Sequence, residues 1–178
     1  MNNLQTYERI VKAANTRKRV AIKISLILSY LLFFSLWLIF ALNNPNIFIP
    51  IIIAGALSTF GAFRISWKYI QIEYEYSFCY GDMNVSKIYG KRKRKALAHA
   101  DIKSLLFIAP ATQENINKAE KLEIEERIIA VSSEEADNIW LAVTGDKDEK
   151  RLMMFFEADE RSLALLKSVN PYAFSKRI

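Results

Sequence analysis

Two long apolar segments near the start of the chain constrain its fold more than any other feature. Residues 24–42 are 19 consecutive residues without a charge, and residues 47–63 are a further 17. As α-helices they would extend roughly 28 Å and roughly 25 Å, close to the roughly 30 Å hydrocarbon thickness of a bilayer. The intervening NNPN at 43–46 is typical of a tight turn. The pattern predicts a transmembrane hairpin at residues 20–68, with spans of about 24–42 and 47–63.

Two other interpretations of these segments fit less well. A helix in the core of a small soluble protein keeps a polar face, and neither segment has one. A cleaved signal peptide has a shorter apolar region that ends at a small-residue cleavage site. The first segment is longer, lacks that site and is followed by a second apolar segment. We therefore expect an integral membrane protein.

The placement of the positive charges predicts the orientation. Residues 1–68 contain eight Lys or Arg and one acid, a net charge of +7, whereas residues 69–178 carry −1. Cations lie on the outer flanks of both spans, and the NNPN connector has none; they are Arg17, Lys18, Arg19, Lys23, Arg64 and Lys68. The positive-inside rule then places both termini in the cytoplasm. We expect a multi-pass protein of the inner (cytoplasmic) membrane.

Residues 1–19 precede the first span and are expected to be cytoplasmic. Leu4, Ile10 and Val11 among polar neighbours fit a short amphipathic helix. A solvated, frayed terminus fits them equally well. Both interpretations stay open.

The pattern changes to alternating apolar and polar residues at residue 69, which predicts a cytoplasmic β domain over 69–178. In the first strand the inward side chains are expected to be Ile70, Ile72, Tyr74, Tyr76, Phe78 and Tyr80. Turn residues Gly81-Asp82 precede a returning strand at 83–89. In all, we expect about seven antiparallel strands.

The end of the domain is expected to be helical. Asp159 is suited to cap a helix at roughly 160–169, with Leu163, Leu166 and Val169 on one side. The polar stretch 111–126 forms either a loop or a short exposed helix. An antiparallel sandwich or barrel closed by a terminal helix fits a pleckstrin-homology-like (PH-like) arrangement, and also other small α+β folds.

Particular residues favour the PH-like fold. The run Tyr74–Val85, the basic residues after it, Asp101-Ile102, and the ending Phe155–Asp159 with Pro171 resemble a small bacterial two-span membrane protein family with a C-terminal PH-like domain. The hairpin before them is similar too, so the resemblance covers most of residues 20–171. It implies an α+β membrane protein: an N-terminal two-helix transmembrane hairpin, then a PH-like antiparallel β sandwich or barrel capped by a C-terminal α-helix. It implies no activity, cofactor or substrate, and the insert at 111–126 leaves the middle strand order open.

Five adjacent cations, Lys91–Lys95, form the strongest candidate contact site, and we expect them on a solvent-facing turn. With the cations on either side they give residues 87–103 a net charge of +6; the candidate residues are Lys87, Lys91, Arg92, Lys93, Arg94, Lys95 and Lys103. They fit a contact with anionic lipid headgroups, a charged guard on an edge strand or a patch for an acidic protein. A nucleic acid is not expected, because no aromatic stacking platform accompanies the charges.

No catalytic, cofactor or metal site is predicted. One histidine, His99, and one cysteine, Cys79, cannot form a Cys/His zinc site, and no glycine-rich phosphate loop is present. Asp146, Asp148 and Glu149 are better explained by a hairpin turn than by a metal site.

The chain is therefore predicted to be a non-catalytic, membrane-anchored interaction module that contacts anionic lipid or a partner protein. The alternative is an accessory subunit of a larger membrane assembly, or a homo-oligomer, packed through its spans. Small and weakly polar residues suit helix packing of either kind, within the hairpin or with partner helices; they are Ser25, Ser29, Ser35, Gly55, Ser58, Thr59 and Gly61. A membrane-bound enzyme lacks a supporting motif.

Overall fold

The computed structural model describes residues 6–145 and 151–175. They form two compact units, and the chain passes between the units more than once. One unit comprises residues 14–72 and 89–91. The other comprises the described residues of 1–13, 73–88 and 92–178. The segment around Asp146, Asp148 and Glu149 lies outside the described residues.

Two long apolar helices make up most of the first unit, and we call them the helix pair. They are α1 (Arg17–Leu42) and α2 (Phe48–Ile70), joined through a short 3₁₀ turn, Pro45–Ile47. Both are long and apolar enough to cross a membrane, by length and composition. Only 6% and 11% of their most apolar stretches are buried, unlike the core helices of a soluble domain.

The two helices contact each other closely at two levels along their length. Gly55 lies against Trp37 so tightly that a Cβ atom at position 55 would be 2.7 Å from Trp37 Cβ. The hydroxyl groups of Tyr30 and Ser66 share a hydrogen bond. Part of the small-residue set is therefore used for packing inside the helix pair.

The second helix extends further than predicted. It ends at Ile70, so the expectation that the first strand begins at 69 and includes Ile70 is wrong. Two residues of apolar–polar alternation are too few to distinguish the start of a strand from the last turn of a helix. In the structure, Tyr69 packs edge-to-face on Tyr89 within this unit.

The described part of the N-terminal segment contains a strand and no helix before α1, and Leu4 lies outside the described residues. β1 (Thr6–Lys12) pairs antiparallel with β2 (Ile72–Cys79), and Tyr7 lies opposite Phe78. Its side chains alternate between exposed and half-buried positions. The helix and frayed-terminus interpretations are both wrong, because Tyr7, Arg9 and Val11 gain partners that are distant in sequence.

The first sheet contains four strands in the order β1-β2-β3-β4, with β3 at Asp82–Tyr89 and β4 at Lys93–Asp101. The predicted inward residues Tyr74, Tyr76 and Phe78 are buried. Tyr80 was expected inward but is 79% exposed, because it lies in the β2–β3 turn with a positive φ of 52°. The alternation of β2 therefore stops at Cys79.

The second sheet has the order β5-β7-β8-β6. Its strands are β5 (Leu105–Pro110), β6 (Glu126–Ala130), β7 (Ile139–Thr144) and β8 (Leu152–Glu157). The prediction of an entirely antiparallel arrangement is wrong, since β6 runs parallel to β8. The direction of β6 relative to its neighbour depends on which distant strand it pairs with. The residues of β6 themselves contain no pattern that indicates this pairing.

Within the described residues, three helices accompany the sheets, namely α3 (Gln113–Glu120), α4 (Glu160–Val169) and α5 (Tyr172–Ser175). Of the two alternatives for residues 111–126, a loop or a short exposed helix, the structure has a helix. This helix is not fully exposed, because Ala119 is buried. The bounds predicted for α4 and its Asp159 cap are confirmed. On α4, Leu165 and Leu166 are buried, whereas Leu163 and Val169 are only partly buried.

The two sheets enclose the core, and buried polar groups connect them. The Tyr76 hydroxyl on β2 donates to the Ala130 carbonyl and accepts from the Glu157 N–H at 3.3 Å. Burial raises the pKa of the Tyr76 hydroxyl, so it remains a donor at neutral pH. After α4, the Asn170 amide donates to the Ile102 carbonyl at 2.9 Å and to the Leu105 carbonyl at 3.0 Å.

Candidate functional site

The candidate site begins in the turn between β3 and β4. Gly90 and Lys91 both have positive φ, 56° and 59°, as expected for the two central residues of a tight hairpin turn. The Gly90 N–H donates to the Gln71 carbonyl at 2.8 Å. A Cβ atom at position 90 would lie 2.7 Å from Lys68 Cβ. The backbone angle favours glycine, and the close approach of Lys68 leaves no room for a side chain at position 90.

The five cations, which we call the basic run (Lys91–Lys95), are not confined to this turn. Lys91 and Arg92 lie in the turn, whereas Lys93, Arg94 and Lys95 begin β4. The run is exposed throughout, as predicted. Because β4 is at an edge of the first sheet, the arrangement is compatible with an edge guard as well as with a contact surface.

One member of the basic run differs from the others because it forms an ion pair. Arg94 Nη2 lies 3.0 Å from Glu75 Oε1, and the Glu75 side chain is only 9% exposed. The alternation pattern placed Glu75 on the polar face of its strand and gave no sign of burial. The sequence contains no local signal for this pair, since β2 and β4 are separated by β3 in the sheet.

The two flanking cations occupy different ends of the first sheet. The Lys87 ammonium lies 5.9 Å from the centroid of the Tyr74 ring, a cation–π geometry, near the β3 end that leads to the basic run. Lys103 lies in a 3₁₀ turn, Ile102–Ser104, after β4. About 25 Å of mostly extended chain separates it from Lys95. The structure therefore groups Lys87 with the basic run and separates Lys103 from it.

The two residues weighed for chemistry, His99 and Cys79, both lie on the first sheet. His99 Nδ1 is 2.8 Å from Asn84 Oδ1, at an exposed position on the first sheet. Cys79 is half-buried at the end of β2. Within residues 6–145 and 151–175, no three His, Cys, Asp or Glu side chains are grouped so that they could hold a metal ion.

A second polar cluster, which sequence analysis missed, surrounds the cap of α4. Asp159 accepts hydrogen bonds from the Tyr7 hydroxyl and from the Ser162 N–H, and Arg9 Nη1 lies 3.6 Å from its carboxylate. Arg161 stacks 4.9 Å from the Tyr7 ring centroid. We call Tyr7, Arg9, Asp159, Arg161 and Ser162 the Asp159 cluster.

The cluster changes the acidity of its carboxyl group. Partial burial by itself would raise the pKa of Asp159, but the hydrogen bonds from Tyr7 and Ser162 and the charge of Arg9 lower it below its usual range. The Asp159 cap was visible in the sequence, but its partners on β1 were not. Arg9 Nη1 is buried and, among the described residues, pairs with Asp159 by charge but has no hydrogen-bond partner.

The described residues form two four-stranded sheets with helices after them, which fits a PH-like arrangement. The profile of the family described as Bacterial PH-like domain (DUF6106) matches residues 5–176, so the chain belongs to that family. The match extends from β1 through the helix pair to the C-terminal helices. The predicted resemblance is thus confirmed. No curated protein and no solved structure matches the chain.

Proposed function

We propose that this protein is a multi-pass inner-membrane protein whose PH-like domain is a non-catalytic interaction module that contacts the anionic cytoplasmic leaflet. The helix pair would span the bilayer, with both chain ends in the cytoplasm. The observation that carries the proposal is the exposed basic run. Its first residue, Lys91, belongs to the same compact unit as the two apolar helices.

Chain connectivity supports this assignment. The chain leaves β1 at Lys12 and reaches α1 at Arg17, and it leaves α2 at Ile70 and enters β2 at Ile72. The turn that carries Lys91 is hydrogen-bonded to Gln71, one residue beyond α2. If α2 crosses the bilayer, the basic run starts close to a membrane surface.

The charges suit that surface. Each Lys or Arg close to an anionic leaflet contributes about 1 kcal/mol of attraction, and the effect decreases with salt. A domain tethered by two short connectors needs little further binding energy to stay docked. The basic run would therefore orient the domain and not recruit it from solution.

The membrane orientation is tested by cysteine accessibility in intact cells. The native Cys79 is first replaced by Ser, and Asn44 in the connector between the helices is then replaced by Cys. A membrane-impermeant maleimide is expected to label the Asn44→Cys protein and to leave the native Cys79 protein unlabelled until the cells are opened. The reverse pattern would contradict the proposed orientation.

The lipid contact is tested on the full chain in nanodiscs. A fluorophore is placed at the exposed Ala96 (Ala96→Cys with Cys79→Ser), and nitroxide headgroup lipids quench it if β4 lies at the membrane surface. We expect more quenching in discs that contain phosphatidylglycerol than in discs of phosphatidylcholine alone, with the difference lost at high salt. A fluorophore on the native Cys79 serves as the control probe. Cys79 ends β2, whereas the basic run is next to the turn that contacts Gln71 before the start of β2, so little quenching is expected there.

The charge requirement is tested with matched triple variants. Replacing Lys91, Lys93 and Lys95 by Ser is expected to abolish the lipid-dependent quenching. Replacing the exposed Lys103, Lys121 and Lys167 by Ser removes the same charge and is expected to preserve it. Equal quenching in neutral and anionic discs for the unmodified chain would refute the lipid contact and favour the edge-guard interpretation.

Two observations favour the second candidate function, an accessory subunit of a membrane assembly. A Cβ atom placed on Gly61 would have no neighbouring atom within 4 Å, unlike one placed on Gly55. An apolar groove also opens on the helix pair; it is lined by Tyr30, Phe34, Ala56, Thr59, Phe60 and Phe63. A monodisperse monomer after gentle detergent extraction would argue against obligate assembly, and a larger complex would favour it.

A further inference from the structure

We infer that the basic run has two separate roles: Arg94 is a structural cation that neutralises buried Glu75, and Lys91, Arg92, Lys93 and Lys95 alone contact the anionic bilayer. The inference rests on the proposed function and specifies which residues carry it. The intended partner is the anionic bilayer surface as a whole, recognised by its charge density.

The first step of the argument concerns partners. Arg94 forms an ion pair at 3.0 Å with Glu75. Across the described ranges, no ion pair or side-chain hydrogen bond is found for the other four cations of the run. Arg94 is thus committed within the domain, whereas the others are available to an external anion.

The second step concerns burial. The Glu75 side chain is 9% exposed, and it lies on β2, an interior strand of the first sheet. A buried carboxylate without a cation is strongly unfavourable, because it loses hydration and gains nothing in exchange. Withdrawing Arg94 to a lipid phosphate would leave Glu75 in that state, so lipid competes poorly for this arginine.

The third step concerns direction. Successive side chains of a strand project to opposite faces, so Arg94 projects away from the side that Lys93 and Lys95 share. Arg94 therefore does not join Lys93 and Lys95 around a single phosphate group. The four other cations are spread over a turn and the start of a strand, which suits a charged surface better than one stereospecific headgroup.

The experiment compares variants of equal and unequal charge in the nanodisc quenching assay. Lys93→Ser and Lys95→Ser are each expected to lower the docking equilibrium constant about fivefold, the factor for losing one cation near an anionic surface. The double variant Glu75→Gln with Arg94→Ser removes the ion pair without changing the net charge and is expected to leave docking unchanged. If this double variant reduces docking as much as Lys93→Ser does, the division of roles is overturned.

Stability supplies the second readout, in neutral discs where no lipid contact is involved. Arg94→Ser is expected to lower the melting temperature of the domain by several degrees, and Lys93→Ser is expected to leave it unchanged. Replacing both partners, Glu75→Gln with Arg94→Ser, is expected to recover most of the loss, since no unpaired charge then remains. A melting temperature unaffected by Arg94→Ser would refute the structural role.

The two readouts also separate the failure of this inference from the failure of the proposed function. Without any salt-sensitive docking in the unmodified chain, the proposed function fails and the contact role of the lysines fails with it. With docking present but reduced equally by Lys93→Ser and by the double variant Glu75→Gln with Arg94→Ser, only the division of roles fails. Quenching that differs between phosphatidylglycerol and another lipid of equal charge would contradict recognition by charge density.

Discussion

The phenol group of Tyr7 donates a hydrogen bond to the carboxylate of Asp159, across 152 positions of sequence. The contact joins β1, which precedes the helix pair, to the cap of α4 near the end of the chain. The Tyr7 ring also stacks on Phe78 of the neighbouring strand, with centroids 6.2 Å apart. The PH-like domain therefore contains chain segments that come before and after the helix pair in the sequence. The helix pair itself lies in the connection between β1 and β2, which are paired strands of one sheet.

Removing the Tyr7 hydroxyl should weaken this connection. Tyr7→Phe keeps the ring stacked on Phe78 but removes a hydrogen bond to a charged, partly exposed acceptor, which is expected to cost about 1 kcal/mol of unfolding free energy. Chemical denaturation of the domain measures the loss. Tyr80→Phe, at a 79% exposed position, is the matched control and should be neutral.

The Asp159 cluster should also make stability depend on pH. The pKa of Asp159 is lower in the folded protein than its usual value, so its contribution is present above the unfolded pKa of about 3.9 and is lost as the pH falls through the folded pKa. The stability advantage of the unmodified chain over Asp159→Asn should therefore shrink below about pH 4. A constant difference from neutral to acidic pH would contradict this account.

The domain should fold without the helix pair only if β1 is retained. Lys12 and Glu73 are partners in the β1–β2 ladder, so an Asn-Gly turn in place of residues 13–72 would connect them as a two-residue hairpin. We expect this chain to be soluble and folded, with dispersed amide resonances by NMR. A chain that starts at Glu73 lacks β1 and should aggregate or remain poorly ordered.

Packing inside the helix pair should depend on Gly55. A methyl group at this position meets Trp37 Cβ and Cγ at 2.7 Å, which are atoms that cannot move away easily. Gly55→Ala is expected to destabilise the pair by about 1–3 kcal/mol, as overpacking does. Gly61→Ala is the control, because its surroundings are open. Unfolding in mixed detergent and SDS, followed by tryptophan fluorescence, compares the two.

Features with a local signature were predicted well. The charge-free segments became α1 and α2, and the alternating aromatic residues became the buried face of β2. The Asp159 cap and the bounds of α4 followed from the residues next to them. Each of these depends on interactions within a few positions of the chain, where propensity and periodicity carry the information.

The candidate site was predicted in composition but not in arrangement. The run of cations and its exposure were evident from the residues themselves, since adjacent charges cannot be buried together. Its division between a turn and an edge strand, and the commitment of Arg94 to Glu75, depend on where β4 starts and which strands lie beside it. Lys103 was included because it is near in sequence, although extended chain moves it to the other end of the sheet.

By itself, the sequence determined the two apolar helices, most of the strands, the α4 cap and the basic run, because each is specified by neighbouring residues. Only the tertiary structure decided that β1 completes the first sheet, that β6 runs parallel to β8 and that Glu75 is buried beside Arg94. Those outcomes depend on pairs of segments that meet from distant parts of the chain. The free energy that stabilises these arrangements comes from contacts between the two segments, so neither segment alone contains a sequence pattern that predicts them.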